Sequence, residues 1–63
     1  MGLNERQIKA VMYVKVKGKI ANKEYRKITG LSDEGGRIDL NELAEKGVLL
    51  LKGKGRGTHY VLK

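Results

Sequence analysis

The stretch that decides the fold is residues 31–57, LSDEGGRIDLNELAEKGVLLLKGKGRG. Ser32 is a favourable helix N-cap, because its hydroxyl oxygen can accept hydrogen bonds from the free N–H groups of a first turn. The two acidic residues after it suit the positive end of a helix, and Gly47 is a typical helix stop. An apolar segment, Val48–Leu51, and a basic, glycine-rich loop follow. The pattern predicts a helix that leads into a β-hairpin with a basic tip.

This helix is predicted to bury one apolar side, formed by Leu40, Leu43 and Ala44. Two consecutive glycines, Gly35 and Gly36, occupy its first turn and cost about 1 kcal/mol each relative to alanine. Close packing of Gly36 against another helix is favoured over a ligand-binding role, because no phosphate-loop spacing surrounds it. The polar residues placed outside the buried face are Asp39, Asn41, Glu42 and Glu45.

A first helix is predicted near the N-terminus. Asn4 and Gln7 have the spacing of a capping box, in which each side chain bonds the backbone N–H of the other residue. The helix should run to about Lys17 and end at Gly18. The side expected to face the core consists of Ile8, Val11 and Met12, followed by Val14 or Lys15.

A second helix is predicted from Lys23 to about Thr29, with Asn22 as its N-cap and Tyr25 facing inward. Gly30 allows the tight turn into the third helix. The preceding segment, Lys19–Ala21, is too short for an independent strand. One residue pair from it is expected to join the hairpin as an edge strand.

Together these elements predict an α+β fold of the winged helix-turn-helix type, with three helices and a small antiparallel sheet of two or three strands. The expected order is helix, strand, helix, helix, strand, wing, strand. Neither Val48–Leu51 nor the returning strand Thr58–Leu62 alternates cleanly between apolar and polar residues. Both faces of the sheet are therefore expected to carry apolar side chains, and Leu49, Leu50 and Leu51 are predicted to form an interaction surface.

The 63 residues predict a single domain, residues 1–63, near the lower size limit. The chain has no cysteine and therefore neither a disulfide nor a cysteine-ligated zinc site. No apolar run approaches the roughly 20 residues of a membrane span, which favours a cytoplasmic protein. His59 is the only histidine, and Gly53–Gly57 lacks the order of a P-loop. We expect no enzyme activity, no metal and no cofactor.

The net charge of +7 favours a polyanionic partner. Residues 1–30 carry eight basic and two acidic side chains, residues 31–45 one and five, and residues 46–63 five and none. Cations on the wing can lie along a phosphate backbone, and those around the second helix can hold the adjacent phosphates. The predicted nucleic-acid-binding residues are Lys19, Lys23, Arg26, Lys27, Arg37, Lys52, Lys54, Arg56 and Thr58.

Several short motifs, in this order and spacing, resemble a known family. They include residues 3–7 (LNERQ), 28–32 (ITGLS), 39–47 (DLNELAEKG) and 53–62 (GKGRGTHYVL). These are similar to the winged-helix module at the C-terminus of prokaryotic RecG-like ATP-dependent DNA helicases or transcriptional regulators. The resemblance implies DNA binding and a C-terminal module of a longer protein. Relatives carry basic and hydroxyl residues after Ser32, where this chain has acids and glycines, so weak base reading is expected.

The first hypothesis is a module that binds double-stranded DNA through the wing and the second helix, in transcription regulation or as an accessory to a helicase-like protein. The sequence leaves DNA and RNA undistinguished. The alternative is a protein–protein interaction or dimerisation module that keeps the winged-helix fold without reading DNA. In that case the leucines of the hairpin would form a homodimer contact or dock on the parent protein's other domains.

Overall fold

The helices of this protein begin and end at residues that satisfy their free backbone groups. The computed structural model describes residues 2–63 and has an α+β architecture of three helices and a two-stranded antiparallel sheet. A short 3₁₀ turn, Gly55–Gly57, lies in the hairpin loop. The elements in chain order are α1 (Glu5–Lys17), α2 (Asn22–Thr29), α3 (Asp33–Glu45), β1 (Leu49–Lys52) and β2 (His59–Leu62).

The predicted capping box at the start of α1 is confirmed. The Asn4 side chain accepts a hydrogen bond from the Gln7 backbone N–H at 2.8 Å, and the Gln7 side chain accepts one from the Asn4 N–H at 3.1 Å. The helix ends at Lys17, and Gly18 follows as its C-cap. Local hydrogen bonds between neighbouring residues therefore fix both ends of α1.

Both predicted ends of α3 are confirmed as well. Ser32 Oγ accepts a hydrogen bond from the Gly35 N–H at 3.2 Å. At the other end, Gly47 adopts a left-handed φ of 76°. Its N–H bonds the Ala44 carbonyl at 3.1 Å, and the Val48 N–H bonds the Leu43 carbonyl at 3.0 Å. This pair of bonds is a Schellman motif, which closes the helix and turns the chain into β1.

The expectation that Asn22 caps α2 is wrong. Ala21 occupies the N-cap position, and its backbone N–H donates to the Glu24 carboxylate at 2.8 Å. The Asn22 side chain instead donates to the Asp33 backbone carbonyl and carboxylate at the start of α3. Its amide therefore ties the two helices together instead of capping its own helix.

The sheet pairs β1 with β2 in an antiparallel register that sets Leu50 opposite Val61 and Leu51 opposite Tyr60. On the other side of β2, Ile20 forms a single antiparallel bridge with Tyr60. The two backbone hydrogen bonds of this bridge measure 2.9 and 2.7 Å. The expected contribution of one residue pair from the segment before α2 is thus confirmed.

The apolar core lies between the three helices and the inner face of the sheet. Leu40 and Leu43 of α3 are fully buried, as predicted. The prediction for α1 is correct in part: Val14 is buried and Val11 packs against the core, but Ile8 and Met12 are 49% and 58% exposed. The eight buried apolar residues among those described are Ala10, Val14, Ile20, Tyr25, Leu40, Leu43, Leu49 and Tyr60.

Polar contacts explain why α1 is rotated so that Ile8 and Met12 stay outside the core. Gln7 is fully buried, and its amide donates to the Asp39 backbone carbonyl at 3.2 Å and to the Glu42 carboxylate at 2.9 Å. Arg6 Nε donates to the Asp39 carboxylate at 2.9 Å. These bonds set the rotation of α1 relative to α3, so that Ala10 and Val14 fill the core.

The placement of Asp39 outside the buried face is therefore also wrong. This residue is only 8% exposed, and the Tyr25 hydroxyl donates to the same carboxylate oxygen, Oδ2, at 2.7 Å. Burial raises the pKa of Asp39, but the hydrogen bonds from Arg6 and Tyr25 outweigh it and hold the pKa below its ordinary value. Burial and the bond to Asp39 together raise the pKa of Tyr25. The carboxylate thus joins all three helices.

Close packing explains Gly36. A Cβ atom there would overlap Asn22 Oδ1 and lie 3.4 Å from Arg26 Cγ. The predicted close approach of helices at Gly36 is confirmed, with α2 as the neighbour. A Cβ on Gly35 would make only ordinary contacts, the nearest at 3.4 Å from Ser32 Oγ.

We expect Tyr25→Phe to lower the free energy of unfolding by about 1.5–3 kcal/mol near neutral pH, the usual range for a hydrogen bond to a charged group. The depressed pKa of Asp39 contributes stability that is present above its ordinary pKa of 3.8 and is lost as the pH falls through its lower, folded-state pKa. Removing the hydroxyl raises that folded-state pKa. The difference in the free energy of unfolding between the wild type and the variant should therefore narrow below about pH 4. Urea unfolding of both proteins from pH 7 to pH 2 measures this difference.

Tyr13→Phe is the matched control, since Tyr13 is half-buried and its hydroxyl makes no hydrogen bond within residues 2–63. Its stability should match that of the wild type at every pH. A gap for Tyr25→Phe that stays constant down to pH 2 would contradict the assigned role of Asp39.

We expect Gly35→Ala to stabilise the protein by up to about 1 kcal/mol, because alanine is the better helix former.

Gly36→Ala should destabilise the protein, because forcing a methyl group against Asn22 costs about 1–3 kcal/mol. In an Asn22→Ala background the overlap is gone, and Gly36→Ala should become stabilising. Thermal unfolding of the wild type, Gly36→Ala, Asn22→Ala and the double variant measures the coupling between positions 22 and 36. Equal effects of Gly36→Ala in both backgrounds would show that Asn22 is not the obstacle.

Candidate nucleic-acid interface

An open groove of about 670 Å³ lies between α2, the start of α3 and the hairpin. The three elements meet here because Gly36 lets α2 and α3 approach closely and because Ile20 ties β2 to the segment before α2. Thirteen residues line the groove: Ala21, Asn22, Lys23, Arg26, Asp33, Arg37, Leu40, Asn41, Leu51, Gly55, Arg56, Thr58 and Tyr60.

The groove gathers five of the nine predicted nucleic-acid-binding residues. Lys23 and Arg26 come from α2, Arg37 from α3, and Arg56 and Thr58 from the hairpin. Because Arg37 and Arg56 are far from each other and from the α2 pair in the sequence, only the fold brings the cations of the three elements to one surface. A groove with one dominant sign of charge concentrates the field and attracts an anionic ligand.

The other four predicted residues lie outside this groove. Lys19 lines a smaller adjacent groove of about 210 Å³ that shares Arg56 and Thr58. Lys52 and Lys54 are exposed on the hairpin, and Lys27 is exposed on α2. Cationic side chains therefore continue from the main groove along the hairpin and past the start of α2, where Glu24 also lines the smaller groove.

Asp33 is the acidic residue among those lining the main groove, and it faces two of the cations. Its carboxylate lies 3.5 Å from Arg37 Nη2 and 3.9 Å from Arg26 Nε. The same side chain accepts the hydrogen bond from Asn22. The carboxylate thus occupies a position between two guanidinium groups, where a phosphate oxygen would also find charge-assisted donors.

The backbone of the hairpin loop is tightly turned, and this turn directs the side chains of Lys54 and Arg56 outward. Gly53 has a φ of 80°, and a Cβ there would overlap the Gly57 backbone carbonyl. The Thr58 N–H donates to the Gly55 carbonyl at 3.2 Å. His59 Nδ1 lies 2.7 Å from the Gly57 carbonyl oxygen, so the only histidine belongs to the loop structure. This folded tip presents Lys54 and Arg56 to solvent.

Sequence reasoning missed Asn41 and Tyr60 in the groove. The Tyr60 hydroxyl donates to Asn41 Oδ1 at 2.8 Å and thereby fixes β2 against α3. Burial raises the pKa of Tyr60, so its hydroxyl remains protonated and remains a donor. The register pairs Leu51 with Tyr60 and so places both side chains on the face of the groove, and the sequence alone did not give this register.

The predicted interaction surface of three consecutive leucines is not one surface. Leu49 is 1% exposed and belongs to the core. Leu50 and Leu51 are 39% and 54% exposed, but successive strand residues point to opposite faces of a sheet. Leu51 lines the basic groove, whereas Leu50 lies with Val61 on the outer face.

No protein-family profile and no curated protein matches this chain. Across residues 2–63, no cluster of three or more His, Cys, Asp or Glu side chains is arranged to hold a metal ion. Within that same part of the chain, no helix combines the length and the apolar character needed to cross a membrane.

Proposed function

We propose that this chain is a winged helix-turn-helix module that binds double-stranded DNA mainly through phosphate contacts. The observation that carries the proposal is the groove in which Lys23, Arg26, Arg37 and Arg56 converge from three elements. In this interpretation α2 and α3 are the helix-turn-helix pair and the β1–β2 hairpin is the wing. The resemblance to modules of RecG-like helicases and transcriptional regulators supports the same role.

The energetics of this contact are electrostatic. Each phosphate neutralised by a lysine or arginine releases condensed counterions, so the logarithm of affinity falls by about 0.9 per neutralised phosphate for each unit of log salt concentration. Such contacts position a protein on DNA without reading its sequence. The exposed cations Lys52 and Lys54 extend the contact beyond the groove. Affinity for duplex DNA should therefore depend steeply on salt.

Weak base reading follows from the start of α3. The N-terminal residues of a recognition helix usually contact base edges, and here they are Asp33 and Glu34, which would meet the phosphates at the groove edges with repulsion. Arg37 is the one guanidinium on α3, and Asp33 lies 3.5 Å from it. An arginine can read guanine through two hydrogen bonds, but this arginine must first leave its acidic neighbour.

We expect the double variant Lys54→Glu, Arg56→Glu to bind duplex DNA at least about tenfold more weakly. Its salt slope should be lower by about one unit for each phosphate that the variant no longer neutralises. Fluorescence anisotropy with a labelled duplex of about two helical turns, between about 50 and 200 mM salt, measures both quantities.

The control is Lys9→Glu with Lys15→Glu, which changes the net charge equally but alters exposed α1 residues outside both basic grooves. It should weaken binding far less. An equal reduction in affinity in both double variants would show that binding follows net charge alone. No binding of the wild type to any duplex at low salt would refute the proposed function.

We expect Asp33→Asn to strengthen DNA binding by roughly fivefold, equivalent to about 1 kcal/mol. The substitution removes a repulsive charge and releases Arg26 and Arg37, while the amide oxygen still accepts from Asn22. Glu34→Gln is the matched control: it removes the same charge from an exposed neighbour that does not line the groove. Anisotropy at one salt concentration compares them. Equal gains would show that the position of Asp33 is immaterial.

The alternative function, an interaction or dimerisation module built on the hairpin leucines, has less support. Its three residues are divided among the core, the groove and the outer face. On the outer face of the sheet, only Leu50 of the three leucines remains, paired with Val61. We therefore favour DNA as the partner of the hairpin.

A further inference from the structure

A second groove, of about 460 Å³, runs along the outer side of α1 beside the end of α2. Its floor is apolar: Ile8, Met12 and Val16 are 49%, 58% and 78% exposed, and Ile28 of α2 lies alongside them. The three α1 residues repeat every four positions and form one ridge about 12 Å long. These periodic apolar side chains do not pack into the core. Contiguous exposed apolar surface of this kind marks a contact site.

The two charged side chains that line this groove are both positive. Lys9 and Lys17 line the groove, and the seven residues that line it include no acid. A second copy of the chain fits poorly here, because a two-fold contact would bring the same surface of both copies together and set these lysines against their counterparts. The partner must instead carry apolar residues flanked by carboxylates.

We propose that this α1 groove binds an amphipathic helix of a partner protein, with apolar residues at i, i+3 or i+4, and i+7, and with Asp or Glu beside them. Two to three helical turns match the length of the ridge, and helix-in-groove docking is a common mode of peptide recognition. The carboxylates would pair with Lys9 and Lys17.

The α1 groove and the basic groove have no lining residue in common. The two partners can therefore bind at the same time. This inference does not rest on DNA binding, and either proposal can fail without the other. If both hold, the module joins an acidic helical segment to DNA.

The direct test uses a labelled synthetic helix that carries leucines on one face and glutamates beside them. One control peptide replaces the leucines with serine and keeps every glutamate, and a second replaces the glutamates with lysine and keeps every leucine. We expect the first peptide to bind the 63-residue chain at least tenfold more tightly than either control. Equal binding of the serine peptide would overturn the proposal, since charge alone would then explain it. Equal binding of the lysine peptide would overturn the role of Lys9 and Lys17.

The site is identified by variants and by NMR. Met12→Lys with Val16→Lys should weaken peptide binding at least tenfold, whereas Ile38→Lys, at a 60% exposed position on α3, should leave it unchanged. Both altered α1 residues are exposed, so folding should survive, which circular dichroism checks. In an NMR titration, the shifts should fall in residues 8–17 and at Ile28. Shifts at Arg26, Arg37 and Arg56 instead would show that the peptide competes as a polyanion for the basic groove.

Sedimentation of the chain without peptide tests whether a second copy of the chain occupies the α1 groove instead. We expect a monomer at all concentrations. A concentration-dependent dimer that Met12→Lys with Val16→Lys abolishes would show that a second copy covers the ridge, and the partner-helix proposal would be wrong.

Discussion

The carboxylate of Asp39 on α3 accepts hydrogen bonds from Arg6 of α1 and Tyr25 of α2, and the rest of the helical packing depends on this contact. A buried charge is costly unless it is paired and hydrogen-bonded. Here both donors come from other helices, so the carboxylate is satisfied only when all three helices are docked. In a domain this small, with no disulfide to constrain it, this carboxylate is a single group that connects all three helices.

The same contact determines which side of α1 is buried. Arg6 and Gln7 both bond groups at positions 39 or 42 of α3, and this turns Ala10 and Val14 toward the core. Because the polar bonds occupy one side of the helix, the larger apolar side chains of Ile8 and Met12 stay outside. The apolar ridge on α1 is thus a consequence of the polar network, and it gives the protein a second surface, distinct from the basic groove.

The basic groove depends on contacts between α2 and α3. Gly36 permits the approach, and the Asn22 side chain connects the helices through Asp33. Asp33 therefore has two effects: it holds the helix pair together, and it neutralises part of the charge that the groove offers to an anion. Its carboxylate lies within 4 Å of both Arg26 and Arg37, so α3 contributes less free positive charge to the groove than its one arginine would alone.

The sequence by itself determined the features that rest on residues close together in the chain. The Asn4–Gln7 box, the Ser32 cap and the stop at Gly47 involve groups at most five residues apart, and the turn chemistry of the hairpin is equally local. Tertiary structure decided the rotation of α1, the burial of Asp39 and the convergence of the cations, since their partners lie far apart in the sequence, as the 33-residue separation of Arg6 and Asp39 shows. Apolar periodicity identifies a side of a helix, but it cannot tell a side that packs from one that stays exposed when polar side chains have stronger partners in the interior.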